Sequence, residues 1–416
     1  MPKRDALTAL DIGSGHLTAR VTQGEVRKMH IFKGVCAVAA LALAGSPALA
    51  KDPVKIGLIT TLSGPAGYLG ADIRDGFMLA TEAKGGPFEG NKPEVMVEDD
   101  GLKPGQAKAI ADRFLKTSNA KIFTGIVFGN IAAAVVPDVL EAGGIYVSPN
   151  SAATGFAGKG CSPNYFVVSF QNDGQGESVG ALAKSLGYKK AYLLAPNYPS
   201  GKDMLQAFKR EFGGEVVAEK YTNLGQTDFA VEIAEIRAAN PDVVHGFQPG
   251  GMGIAFLRQY HQAGLKIPLV MHAASMDQAM VKVLKDAASG VQVASQWNDD
   301  FDNPASKAFV AAWKAKYGDR PVTSYAAQGY DAGLLIGSAL KATNFSVENM
   351  DALRAALRKA DFASVRGNFK FDKNQHPIQD WYALKAEKAP NGDFVMVTGK
   401  KVLSNHGDVY AKDCAM

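Results

Sequence analysis

The sequence predicts an α/β protein of two doubly wound lobes, each built on a parallel sheet. Short apolar, β-branched runs alternate with segments of helical period, first from Val54 to Ser151 and again from Tyr165 to Ala294. Strands buried on both faces read as unbroken apolar runs, so this alternation points to parallel sheets covered by helices. The runs end in small turn residues, at Ser63-Gly64-Pro65, Gly129-Asn130, Pro149-Asn150-Ser151 and Asn197-Tyr198-Pro199, where neither helix nor strand continues. Length agrees: the 366 residues after Ala50, out of 416, exceed what one core usually serves.

Residues 1–50 are expected to stand apart. Met29 opens a basic flank, His30-Ile31-Phe32-Lys33, followed by an apolar stretch from Gly34 to Gly45 and then Ser46-Pro47-Ala48-Leu49-Ala50. These are the three parts of a secretory signal peptide, with cleavage after Ala50. The apolar core is too short to span a bilayer, and Cys36 precedes it, which makes it a poor lipid-attachment cysteine. Residues 1–28 read as an upstream extension, with a strand at Leu7 to Ile12 as the alternative. The first 50 residues hold six Lys or Arg and three Asp or Glu, so the remainder carries 39 basic against 38 acidic residues, a net charge of +1. No basic face suggests nucleic acid, and no later apolar run reaches membrane-spanning length. Two cysteines remain, Cys161 and Cys414. In an oxidising compartment they are expected to pair and tie the last residues to a loop near residue 160, two separate buried thiols being the alternative.

In chain order, strands are expected at Val54 to Ile59, Glu94 to Glu98, Lys121 to Phe128 and Ile145 to Ser148, with helices from Ile73, from Pro104 and from Gly129 to about Ala142. An irregular excursion, Ala152 to Pro163, precedes a strand from Tyr165 to Phe170 that leads toward the second lobe. There the pattern predicts helices at Gly176 to Leu186, Lys202 to Phe212, Phe229 to Ala239, Gly250 to Gln262 and Met276 to Leu284. They alternate with strands at Lys190 to Ala195, Glu215 to Tyr221, Val243 to Phe247, Leu269 to His272 and Val291 to Ala294. Helices at Ala305 to Tyr317, Thr323 to Ala342 and Val347 to Lys359 follow, and period-2 alternation makes the tail β-rich.

Enzyme chemistry finds little support. There is no His-x-x-His or Cys-x-x-Cys set, phosphate loop or Gly-x-Ser-x-Gly elbow, and Gly246 to Gly253 lacks the dinucleotide spacing. Asp99 and Asp100 could act as paired carboxylates, but they read first as a solvated strand end. No metal or cofactor is expected. The strand-end turns, by contrast, place hydroxyls, amides and N–H groups where open α/β sheets bind ligands, and such groups fix a carboxylate without a full countercharge. Tyr68, Phe128, Tyr198, Phe247 and Trp297 offer aromatic walls, with core packing the competing role for Phe128, Phe247 and Trp297.

Taken in order, Val54-Lys55-Ile56-Gly57 leading to Ser63-Gly64-Pro65, the Asp99-Asp100 strand end, Ser148-Pro149, Asn197-Tyr198 and Thr323-Ser324-Tyr325-Ala326-Ala327 make the chain resemble the periplasmic branched-chain amino acid (Leu/Ile/Val) binding proteins of ABC importers, over roughly residues 54 to 400. The resemblance implies a type I periplasmic binding protein fold, two lobes joined by three crossings, in the periplasm, with an ABC permease as partner. Residues 51–170 plus 298–345 are expected in the first lobe and 171–297 plus 346–416 in the second, the whole acting as a monomer. By motif, Tyr68 or Leu69 supplies a wall residue. The turns at Gly129-Asn130 and Asn150-Ser151-Ala152 grip the ligand carboxylate, Tyr198 folds over the ligand, and Phe247 or Gln248 makes the next contact.

One departure bears on the ligand. Amino-acid binders of this family place a carboxylate after the strand corresponding to Leu269–His272, whereas Ala273-Ala274-Ser275 stands here. An ammonium closed in without a counter-carboxylate is costly. The missing acid and the many aromatics favour a carboxylate ligand without an amino group, and the resemblance implies an aromatic carboxylate of the benzoate, hydroxybenzoate or phenylpropenoate type, with Ser275 as a further contact and His272 as a partner for a ring hydroxyl or as a structural residue. The alternative is a branched-chain or other amino acid paired with Asp277 or another acid. A ligand-sensing module and a periplasmic enzyme are further alternatives.

Overall fold

The apolar run after Pro53 forms the inner strand of a five-stranded sheet because both of its faces find a core. Ile56 and Leu58 pack with Ile122, Val147 and Leu335 on one side, and Ile59 packs with Phe123, Ile131 and Tyr146 on the other. A computed structural model describes residues 52–416; the leader expected at 1–50 lies outside them. The first lobe runs β1 (Lys55–Thr60), α1 (Gly67–Glu82), β2 (Glu94–Asp99), α2 (Pro104–Lys116), β3 (Ile122–Thr124), α3 (Gly129–Glu141), β4 (Ile145–Ser148) and β5 (Tyr165–Val167). Its strands are all parallel, in the order β2-β1-β3-β4-β5, with Leu58 paired to Val97 on one side and Thr124 on the other. The strand expected to reach Phe128 stops at Thr124, because Gly125 turns the backbone at φ +105°, open to glycine at little cost.

The second lobe runs α4 (Asn172–Ser185), β6 (Lys190–Pro196), α5 (Pro199–Phe212), β7 (Glu215–Thr222), α6 (Ala230–Ala239), β8 (Val243–Gly246), α7 (Gly251–Gln262), β9 (Leu269–His272), α8 (Gln278–Leu284) and β10 (Gln292–Ser295). The chain then passes through α9 (Pro304–Tyr317), α10 (Ser324–Ala342) and α11 (Met350–Lys359) to β11 (Lys370–Phe371), β12 (Pro377–Lys388) and β13 (Phe394–His406). The sheet order is β11-β12-β10-β9-β8-β6-β7, parallel from β10 to β7, with β12 antiparallel to β10 and to β13. Helix α4 starts at Asn172, four residues before the expected Gly176, because the Gln171 side chain accepts the Gly174 N–H and caps it. Helix α5 starts at Pro199 rather than Lys202; proline suits the first turn, where its missing N–H has no intrahelical partner to lose. The expected boundary at residue 346 gave α11 to the second lobe, yet Leu353 and Leu357 share a core with Leu58 and Leu335 of the first. An amphipathic helix goes where its apolar stripe is covered, here against α10.

Three segments join the lobes, at 168–171, at 296–303 and through β12. β12 begins beside β11, whose Phe371 packs on Phe166 of β5, and ends on β10. Its ladder with β13 shifts register three times between Gln379 and Leu384. Arg366 holds the crossings together: it pairs with Asp331 of α10 at 3.3 Å, and donates to Ser169 O at 2.7 Å, to Val168 O and to Gln379 Oε1 at 2.6 Å. Cys161 and Cys414 form the expected disulfide, with Cα atoms 5.7 Å apart. The tail it anchors touches the second lobe, where the Tyr410 hydroxyl donates to Asp173 at 3.0 Å.

Candidate ligand-binding site

The turns at the carboxyl ends of the strands meet in a narrow cavity between the lobes. Helices α3, α4, α5 and α10 begin at its wall, through Phe128, Asn172 with Gln175, Tyr198 with Ser200, and Tyr325. First-turn N–H groups lack intrahelical partners and the helix dipole favours negative charge there, so convergent helix starts make the enclosure attractive to an anion. Five rings, Phe128, Phe170, Tyr198, Phe247 and Tyr325, supply most of the apolar wall. The polar wall is neutral throughout, made of the amides of Asn150, Asn172 and Gln175 and the hydroxyls of Ser151 and Ser200. Among the described residues, no Asp, Glu, Lys, Arg or His lines this cavity.

Several of these groups are partly spoken for, and what is left over is informative. Asn150 Nδ2 donates to Val127 O at 2.7 Å, which leaves Oδ1 without a partner. The Ser151 carbonyl accepts from Ser148 Oγ at 2.6 Å and from the Tyr165 hydroxyl at 3.2 Å, so the loop is fixed while Ser151 Oγ is unpartnered. Asn172 is fully employed, donating to Ser200 Oγ at 3.2 Å and Asp203 at 3.1 Å and accepting from the Ala152 N–H at 3.3 Å. Gln175 Nε2, buried, donates to nothing. An unpaired buried donor costs about 1–3 kcal/mol, so an acceptor placed between Ser151 and Gln175 recovers that cost. On the apolar side Tyr198 stacks on Phe247 with centroids 6.4 Å apart and planes 7° apart, and Phe128 tilts against Tyr198 at 6.4 Å. Burial pushes the Tyr198 hydroxyl well above its ordinary titration range, so it stays neutral.

The lobes touch across the cleft through glycines. A Cβ on Gly129 would lie 2.4 Å from Ser200 Oγ, and one on Gly251 would lie 2.7 Å from Pro65 Cβ. Both contacts join residues of different lobes, so the structure is closed, and it closes where side chains are absent.

Of the twelve contacts expected from the sequence, Phe128, Asn150, Ser151, Tyr198 and Phe247 line the cavity and seven do not. Leu69 is core and abuts Gly250. Asn130 keeps a buried, unpartnered Oδ1 off the wall, and Ala152 is spent on Asn172. Ser275 Oγ accepts the Gln248 backbone N–H at 2.7 Å, and the Gln248 amide is buried away from the cavity. His272, expected as a partner for a ring hydroxyl or as a structural residue, stands behind Phe170, which packs on it at 5.8 Å and forms the wall. The imidazole accepts the Ala274 N–H at 3.1 Å, and burial lowers its pKa to about 3. Tyr68 likewise stands off the cavity; burial first, then the adjoining Asp277 carboxylate, raises its pKa. Asp277 is itself buried and off the wall. One of its oxygens caps α8, accepting from Ala279 N–H at 2.9 Å and Met280 N–H at 2.8 Å. Burial, reinforced by Asp72, pushes the carboxyl up to about 7. The lining residues missing from the expectation include Phe170, Asn172, Gln175 and Tyr325. Asn172 and Gln175 were legible only through the Gln171 cap, which moves the helix start onto them.

Two α/β lobes closed over a small neutral cleft are the build of a protein that traps a small organic solute by lobe closure. A family model described as "Periplasmic binding protein" matches residues 53–392, and the chain belongs to that family. A solute-binding protein of an ABC transporter from R. palustris, solved in complex with benzoate, is 30% identical, with a TM-score of 0.83 over 88% of this chain and 100% of that one. A second, from Rhodopseudomonas palustris BisB5 in complex with 3,4-dihydroxy benzoic acid, is 28% identical, with a TM-score of 0.77 over 86% and 99%. The Leu/Ile/Val-binding protein homolog 6 of Brucella melitensis is 27% identical over 369 residues, 86% of this chain and 93% of that one. The chain is thus the non-catalytic solute-binding component of an ABC transporter, with a small organic ligand and a permease as its partners.

Proposed function

We propose that the protein captures a small aromatic carboxylate of the benzoate, hydroxybenzoate or phenylpropenoate type. The observation that carries this reading is the wall itself: five rings and only uncharged polar groups, with four helix starts turned toward it. The acid lies against Ser151, Gln175 and the first turns of α3 and α5, and the ring lies between Phe128, Tyr198 and Phe247. Contacts with both lobes favour the closed state, which a permease reads. The named ligands of the two R. palustris relatives support this reading. The exported form begins after Ala50 and acts as a monomer.

The second reading, a branched-chain or other amino acid, draws on the Brucella relative's name. It requires a carboxylate for the ammonium, and Asp277 has one oxygen committed to the α8 cap and none on the cavity wall. Calorimetry of the mature protein with benzoate, 4-hydroxybenzoate and L-leucine decides between them. Binding of the two acids without leucine is expected; tight binding of leucine alone overturns the aromatic reading.

A further inference from the structure

A second cavity adjoins the first at the outer edge of both sheets. Its walls come from the loop after β1 (Ser63 to Ala66), from Leu102 after β2, and from Leu224, Thr227 and Met252 of the second lobe. Among the described residues, no ionisable side chain lines it. Phe128 and Pro249 belong to the walls of both cavities, so one ring and one proline form the partition. β2 and β7, whose following loops supply Leu102 and Leu224, are at the sheet edges away from the crossings. Polarity therefore falls along the cleft, from unpartnered Ser151 and Gln175 in the first cavity to a mainly apolar wall in the second, where Ser63 and Thr227 are the side chains with hydroxyls.

We propose that the second cavity takes the apolar tail of a para-substituted aromatic carboxylate, whose acid sits in the first cavity and whose substituent passes Phe128 and Pro249. This rests on the aromatic-acid reading above. Two features name the tail as occupant. The walls come from both lobes, so the space is enclosed only in the closed state that holds ligand. Its shared partition puts it in line with the ring, and its neutral lining suits an alkyl or alkoxy chain better than a charged group or a peptide with backbone N–H groups to satisfy. Phe128, whose ring belongs to both walls, turns aside to admit the chain.

The test compares benzoate with 4-butoxybenzoate by calorimetry on the mature protein, as wild type and as Leu224→Trp, with Thr227→Trp as a second filling variant at an exposed position. The wild type is expected to bind 4-butoxybenzoate at least as tightly as benzoate. Each filling variant is expected to weaken 4-butoxybenzoate more than about tenfold while benzoate stays within about twofold. If benzoate binds and 4-butoxybenzoate does not, or if both filling variants leave 4-butoxybenzoate unaffected, the tail site is overturned and the aromatic-acid reading stands. If no aromatic acid binds, that reading falls and the tail site with it.

Discussion

The two sides of the cavity wall are made differently. On the polar side, Asn150, Ser151, Asn172 and Ser200 sit on turns and helix starts and are held by hydrogen bonds to Val127, Tyr165, Asp203 and one another, while the Gln175 amide donor stays free. On the aromatic side, Phe128, Tyr198 and Phe247 are held chiefly by packing, ring against ring, with one hydrogen bond between the Tyr198 and Ser200 side chains. The difference teaches which part of a ligand each side selects. Fixed donors discriminate a carboxylate by direction, whereas stacked rings accept any flat apolar group of suitable thickness.

Substitutions on the two sides should separate these roles. The largest effect is expected for Tyr198→Ala, which removes the central ring of the stack: affinity for benzoate falls by roughly tenfold or more in calorimetry run well below the variant's own melting temperature. Unchanged affinity would sink the assignment of this ring to the ligand. Gln175→Leu, which deletes a free donor while keeping bulk, should cost about tenfold for benzoate and far less for the uncharged benzamide, since hydrogen bonds to a charged acceptor are the stronger ones. Equal losses for the two ligands would mean that Gln175 only packs. Gly251→Ala touches neither side but sets a methyl against Pro65 across the seam. It should weaken every ligand a few-fold and enlarge the liganded particle in small-angle scattering; ligand-selective weakening would contradict a role in closure.

The smallest effect on binding belongs to Asp277. Asp277→Asn keeps an oxygen for the α8 cap and should leave benzoate affinity within about twofold. Its signature lies in stability against pH. The carboxyl is raised from 3.8 to about 7 in the folded protein, so the folded state binds the proton more tightly than the unfolded chain. That contribution is fully present below pH 4 and lost as pH rises through 7. The variant lacks this loss, so its melting temperature relative to wild type should climb between pH 4 and pH 8. A flat difference in scanning fluorimetry would show the carboxyl to be ionised in the fold; loss of benzoate binding would place it at the ligand after all.

Much of the fold was readable because parallel strands leave a plain mark: Val54 to Ile59, Ile145 to Ser148 and Leu269 to His272 are mostly apolar, interrupted only by Lys55 and ending in Ser148 and His272, since both faces are covered. Small polar residues such as Asn150 and Ser151 also announced themselves, standing where a strand must turn into a helix. Phe170 carried no such mark, and Gln175 and Tyr325 stood in helix-opening stretches without marking themselves as lining residues. They come from a crossing segment and from two helices that only the closed fold brings together, and no local pattern encodes that meeting. His272 and Ser275 misled for the opposite reason: a polar residue at a strand end reads as available, yet each is occupied by a backbone N–H of its own neighbourhood. The disulfide was legible from compartment and count, not from geometry, its cysteines being 253 residues apart.

The third connection between the lobes has a mechanical consequence. β12 is no slack tether: it is laddered to β11 at one end and to β10 at the other, and its irregular pairing is confined to Gln379–Leu384. Bulges are where a ladder bends most readily. Gaping of the jaws therefore flexes this ribbon at a short soft spot, as a leaf spring flexes at its thinnest section, and the ribbon's own pairing limits how far they swing apart.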